Sequence, residues 1–190
     1  MKSSAAFRAR PLALMLAALA APILGCPPAG NGTSGGAEVP DGESGLVGKE
    51  APELVTEAVT GDGPKSLAEA RGTVTIVDFW GTFCKPCKES FPKYQELVDT
   101  NAGKLFVLAV SVDEPDDVQA EQIAEFAKQT GVSFPILWDK SKKTAGSYAP
   151  PKMPTSYVID KKGVVRHVHA GYNPAEAEVI AKEVEALIAE

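Results

Sequence analysis

The chain has 190 residues, 44% hydrophobic and 23% charged, the composition of an ordinary globular protein, which excludes a collagen-like or wholly disordered polymer. Its formal charge of −6 argues against nucleic acid as a partner. This length suits one domain with a real core, and is short for two once leader and linker are set aside.

Lys2, Arg8 and Arg10 precede an apolar run from Pro11 to Leu24. The run is too short and one-sided for a transmembrane helix, and residues 1–25 read as a secretory signal peptide. Their removal takes away three positive charges and no negative one, leaving −9. Ile23-Leu-Gly-Cys26 is similar to the lipobox of bacterial lipoproteins, which implies lipidation of Cys26 and anchoring to a membrane, with the domain in the periplasm. Cleavage by an ordinary signal peptidase and a spare thiol are the alternatives. Residues 26–45 are rich in Gly, Pro and Ser with almost no large apolar side chain. They cannot bury enough surface to offset their ordering entropy, and read as a flexible tether to a domain over 46–190.

Within that domain, residues 73–79 (TVTIVDF) are β-branched and apolar and predict a buried strand. From Cys84 to Asp99, Phe91, Tyr94, Leu97 and Val98 recur at helical spacing, so a helix begins at the cysteines. Leu105–Val112 predicts a second strand, making a parallel crossover. A helix capped by Asp116 or Asp117 and ended by Gly131 follows, then a strand over Phe134–Trp138. Thr155–Asp160 and Val164–Ala170 form a hairpin with Gly163 in the left-handed position. Asn173, Pro174 and Glu176 start the last helix. The expected fold class is α/β, a central mixed sheet flanked by helices.

Cys84 and Cys87 carry the chemistry. A lone Cys-x-x-Cys is poor evidence for structural zinc, which usually takes four ligands, and a disulfide over so short a loop stabilises little. Redox exchange suits this spacing, with no metal and no cofactor. Cys84 at a helix N-terminus is favoured as thiolate by free N–H groups and the dipole. Cys87, one turn further in, is the resolving thiol. Lys85 adds charge nearby, or is only a solvated surface group. Asp78 is an acid in an apolar strand, where desolvation should raise its pKa; a structural hydrogen bond is the alternative. Pro92 falls inside the helix and should kink it. His167 and His169 alternate on an edge strand and are expected to be solvated, while Trp80 and Trp138 read as packing groups, with Trp80 beside the dithiol.

The order Val77-Asp-Phe-Trp80, Cys84-Lys-Pro-Cys87, Pro92 and Met153-Pro-Thr-Ser-Tyr-Val-Ile-Asp160 with Gly163 resembles the thioredoxin superfamily. Within it, the chain is similar to the TlpA/ResA-type membrane-tethered thiol-disulfide oxidoreductases, from Gly48-x-x-Ala-Pro52 and Leu67-x-x-x-Arg-Gly72 onward. The resemblance implies a thioredoxin-like fold, and an Asp78 that exchanges a proton with Cys87. It implies a cis Pro154 facing the dithiol, with Met153 and Trp80 at the substrate. By position it offers Glu114 as an active-site acid, although Asp113-Glu-Pro-Asp-Asp117 reads first as an acidic helix start. It implies envelope proteins with disulfides, such as apocytochrome c, as substrates, a membrane thiol-disulfide electron donor, and a reductant's role. Phe83 stands where these proteins commonly carry Trp.

Two other functions use the same residues. A thiol peroxidase normally places Pro-x-x-x-Thr-x-x-Cys at its nucleophile, whereas Thr82 lies two residues before Cys84 and the upstream Pro is missing. A copper chaperone would use Cys84, Cys87 and a His, but its relatives space the cysteines by three.

Overall fold

The computed structural model describes residues 45–190; the expected leader over 1–25, Cys26 and all of the expected tether but Gly45 lie outside them. Ten elements follow in order: β1 (Glu57–Thr60), β2 (Val74–Trp80), α1 (Lys85–Thr100), β3 (Leu105–Ser111), α2 (Ala120–Thr130), β4 (Ile136–Trp138), α3 (Lys143–Tyr148), β5 (Thr155–Ile159), β6 (Val165–Ala170) and α4 (Pro174–Ala189). The strands form one sheet in the order β1-β4-β3-β2-β5-β6. β2, β3 and β4 run parallel, while β1, β5 and β6 are antiparallel to their neighbours. This is the expected α/β mixed sheet between helices.

β2 sits at the centre because all seven of its residues are buried, as an apolar, β-branched run requires when both faces are covered. Alternation then divides its side chains. Val74, Ile76 and Trp80 face a core shared with Cys84, Cys87, Phe91 and Tyr94 of the α1 region, Ile123 and Phe126 of α2, and Ile180 and Val184 of α4. Val77 and Phe79 face a second core closed by Tyr148 of α3, Tyr157 and Val165. Asp78 has the parity of the first face, so the acid points to the side on which the dithiol lies.

The start of α2 differs from expectation for a physical reason. α2 is not capped by Asp116 or Asp117: the Asp117 and Val118 N–H groups bond back to Glu114 O, forming a separate turn. The helix begins after Gln119, whose N–H donates to Gln122 Oε1 at 2.8 Å. α1 runs unbroken through Pro92. At the hairpin, Gly163 has φ +83°, and Asp160 Oδ1 accepts from Lys162 N and Val164 N at 2.9 and 3.0 Å. Asn173 caps α4 as expected, accepting from Ala175 N and Glu176 N.

Candidate active site

α1 begins immediately after Cys84, whose extended backbone makes it the N-cap, with Pro86 in the first turn where a missing N–H is harmless. The two cysteines form a disulfide, with Cα atoms 5.4 Å apart. Cys84 Sγ accepts from the Cys87 N–H at 3.3 Å. That donor and the helix terminus would support negative charge on Cys84 once the bond is opened. Cys84 is 5% exposed and Cys87 fully buried, so an attacking partner reaches Cys84 first.

Behind the dithiol lies an aromatic stack. Trp80 packs on Phe91 and Phe126 with ring centroids 5.0 and 4.6 Å away, and Phe91 meets Phe134 at 5.4 Å. Trp80, expected at the substrate, has no exposed surface and packs in the core that also holds Cys84 and Cys87. Phe83, by contrast, is 70% exposed and its ring lies against Gly81, where a Cβ would come within 2.4 Å of it.

Asp78 is wholly buried. Its Oδ1 accepts from Ser156 Oγ at 2.6 Å, and Ser156 Oγ lies 2.6 Å from Tyr94 Oη. Its Oδ2, together with Trp80 Nε1, is a buried polar side-chain atom with no partner among the described residues. Burial pushes the Asp78 carboxyl up to about 7, against the lowering pull of the Ser156 hydroxyl.

The loop between β2 and α1 is held by Asp113, which sequence reasoning missed. Its carboxylate accepts from Thr82 N at 3.0 Å, Thr82 Oγ1 at 2.7 Å and Ser111 Oγ at 2.8 Å. The Thr82 hydroxyl is thereby committed to Asp113. Glu114, one residue on, is exposed and paired with Lys142 at 3.2 Å. Lys142 Nζ also donates to the Val112 and Asp113 carbonyls. Among the described residues no hydrogen bond or ion pair joins Glu114 to the cysteines.

The Met153–Pro154 peptide is cis. Pro154 is buried and its carbonyl accepts from Gly171 N. Among the described residues neither the N–H nor the C=O of Met153 has a partner. The histidines differ from expectation. His169 is 8% exposed because α4 covers that face of β6. Its Nδ1 lies 2.6 Å from Glu176 Oε1 and its Nε2 2.6 Å from Glu183 Oε2, while His167 pairs with Glu183 at 3.2 Å. Among the described residues no group of three His, Cys, Asp or Glu side chains is placed to hold a metal ion.

The AhpC/TSA family model matches residues 47–168. The chain is 35% identical over 124 residues to the thioredoxin-like protein YneN of Bacillus subtilis, covering 65% of this chain and 71% of that protein. It is 36% identical over 126 residues to the thiol-disulfide oxidoreductase ResA of Bacillus thuringiensis, covering 66% of this chain and 70% of the relative. Among solved structures, a protein assigned as the thiol:disulfide interchange protein DsbE from Chlorobium tepidum superimposes with a TM-score of 0.66 at 30% identity, over 75% of this chain and 97% of that one.

Proposed function

We propose a working cycle for this chain, which belongs to the AhpC/TSA family, has the thioredoxin-like fold and is a thiol-disulfide oxidoreductase. The observation that carries the cycle is the burial of three groups: Cys84 at the mouth, Cys87 enclosed, and Asp78 enclosed on β2 with the parity of the face that packs against the dithiol. In the reduced protein the Cys84 thiolate attacks a substrate disulfide, forms a mixed disulfide and releases one substrate thiolate, which takes a proton from solvent. The Cys87 thiol gives its proton to the Asp78 carboxylate. The resulting thiolate attacks Cys84 Sγ, the Cys84–substrate bond breaks, and two electrons have passed to the substrate. An acid titrating near neutrality is matched to that transfer.

Substrate backbone pairs with the N–H and C=O of Met153 beside Pro154, as an added strand, while exposed Phe83 supplies an apolar contact. Glu114 takes part only through Lys142, which steadies the carbonyls next to the dithiol loop. Partners are envelope proteins with disulfides, apocytochrome c among them. The protein acts as a reductant recharged by a membrane thiol-disulfide donor, is held to the membrane by lipid on Cys26, and works in the periplasm. No helix among the described residues is long and apolar enough to cross a membrane.

Replacement of Cys87 by Ser tests the order of attack: mixed disulfides should accumulate through Cys84, and mass spectrometry of the adducts names the substrates. The reduction potential tests direction. A value near that of thioredoxin, about −270 mV, supports a reductant, and one near about −120 mV overturns it.

A further inference from the structure

We infer that Tyr94 and Ser156 are positioning residues for the proton step: their hydroxyls form a directed donor chain that occupies Oδ1 of Asp78 and reserves Oδ2 for the proton exchanged with Cys87. The inference rests on the reading of Asp78 as proton carrier and adds how that carrier is set.

The fold brings the three groups together from separate elements. Ser156 on β5 stands directly opposite Asp78 on β2. Tyr94 belongs to the buried face of α1 that also holds Cys87, seven residues and so about two turns away on the same rigid helix. Both spacings, Tyr94 to Ser156 and Ser156 to Asp78, are 2.6 Å.

Counting hydrogens sets the direction. A serine hydroxyl has one hydrogen to give. With Asp78 ionised, that hydrogen goes to Oδ1, so the Tyr94 hydroxyl must donate to Ser156 Oγ, and every hydroxyl in the chain has an acceptor. A proton on Oδ1 would reverse the chain. Tyr94 would then have to accept from Ser156, and its own hydrogen would have no acceptor, because among the described residues Tyr94 Oη has no other partner. In a site closed to water that arrangement is disfavoured. Oδ2 is therefore the oxygen that takes the proton, and among the described residues it is the one left without a partner. The proton moves from the Cys87 thiol to Oδ2 with no change in electron count; disulfide formation follows as a separate step.

The electrostatics agree with this direction. Burial, then the charge of Asp78, pushes the Tyr94 hydroxyl well above its ordinary range, so it stays a donor. At Asp78 the Ser156 bond is what opposes burial. The other titratable neighbours are Tyr172 and Glu176, whose influence falls on Tyr94. His169 is also close, the cross-strand neighbour of Ser156, but both its ring nitrogens are engaged by Glu176 and Glu183.

The test follows the Asp78 carboxyl in the full chain by carbon NMR of labelled aspartate, with the resonance assigned by Asp78→Asn. In parallel, the pH profile of glutathione disulfide reduction is measured. Ser156→Ala should move the carboxyl titration up by about one to two pH units, with the profile following. Tyr94→Phe, which removes one oxygen and keeps the ring, should move both by less, and Ser156→Thr should restore both. In an Asp78→Asn background none of these changes should move the profile. A carboxyl titration unmoved in both Ser156→Ala and Tyr94→Phe overturns the relay, whatever Asp78→Asn does. Parental exchange kinetics in Asp78→Asn overturn instead the carrier reading on which it rests.

Discussion

Replacing Asp78 by Asn should change the stability of the domain by an amount that depends on pH. In the folded protein burial raises this carboxyl from 3.8 to about 7, whereas in the unfolded chain it titrates near its ordinary value. Between about pH 4 and pH 7 the folded state therefore holds a proton that the unfolded chain has already lost. Stability falls as pH rises through that window, and the slope vanishes above it, where both states are ionised. At about 1.4 kcal/mol per pH unit the full cost is about 4 kcal/mol at pH 8 and near zero at pH 4. Asn carries no such slope. It can still accept from Ser156, while its amide gains two donors that need partners, a cost independent of pH. Asp78→Asn should thus be no more stable than the parent at pH 4 and gain on it by about 4 kcal/mol by pH 8, worth about 10 °C in midpoint. Urea titrations of the disulfide form at several pH values read this directly, because the cysteines do not titrate there and the remaining groups cancel between the two proteins. A stability difference that is flat from pH 4 to pH 8 refutes the raised carboxyl.

Asp113→Ala deletes the acceptor for Thr82 N, Thr82 Oγ1 and Ser111 Oγ; it should cost about 2–4 kcal/mol and raise the alkylation rate of Cys84 in the reduced protein, and a parental rate would mean that the loop holds without it. Phe91→Ala, which empties the centre of the stack beneath the dithiol, should cost about 3–5 kcal/mol in urea unfolding. Cys26→Ser should release the protein from membranes into the soluble periplasmic fraction with its redox activity intact; undiminished membrane retention would remove the lipid anchor.

What could be read from the sequence was whatever a single segment determines. The run Thr73–Phe79, the helix beginning at the cysteines, Leu105–Val112 and the Gly163 hairpin each carry a local period or turn residue, and each is present within a residue or two. β1 gave no such sign: Glu57–Thr60 is short and largely exposed and exists only because β4 offers it an antiparallel edge. α3 is six residues long, entered through Lys142 and left through Ala149, both at positive φ, and has no room for a period. The site divides in the same way. Asp78 stood out as an acid in an apolar strand. Ser156 could not, since its meaning depends on the β2–β5 register, and Tyr94 at helical spacing reads as one more core aromatic. Asp113 was hidden in an acidic stretch that resembles a helix start. His169 was expected to be solvated because alternation places both histidines on one face without saying that α4 covers it.

The direction of electron flow does not follow from Asp78. An acid titrating near 7 is present in both forms at neutral pH, so it can take the proton from Cys87 when the disulfide closes and return it when the disulfide opens. It lowers the barrier both ways and leaves the equilibrium to the relative stabilities of dithiol and disulfide. Those depend on how strongly the Cys84 thiolate is favoured, and among the described residues the groups seen to support it are the α1 N-terminus and the Cys87 N–H. A strong oxidant must stabilise its reduced form far more than that. The negative charge of Asp78 acts the other way, since ionisation of a buried carboxylate on the dithiol face opposes a second negative charge on Cys84. As pH rises through about 7, that repulsion grows and disfavours the reduced thiolate further. The potential of the pair would then lie lower on the alkaline side than the slope for the thiols alone would give. The measured potential should therefore fall more steeply with pH above 7 in the parent than in Asp78→Asn, and identical slopes would mean that the carboxylate charge is not felt at Cys84.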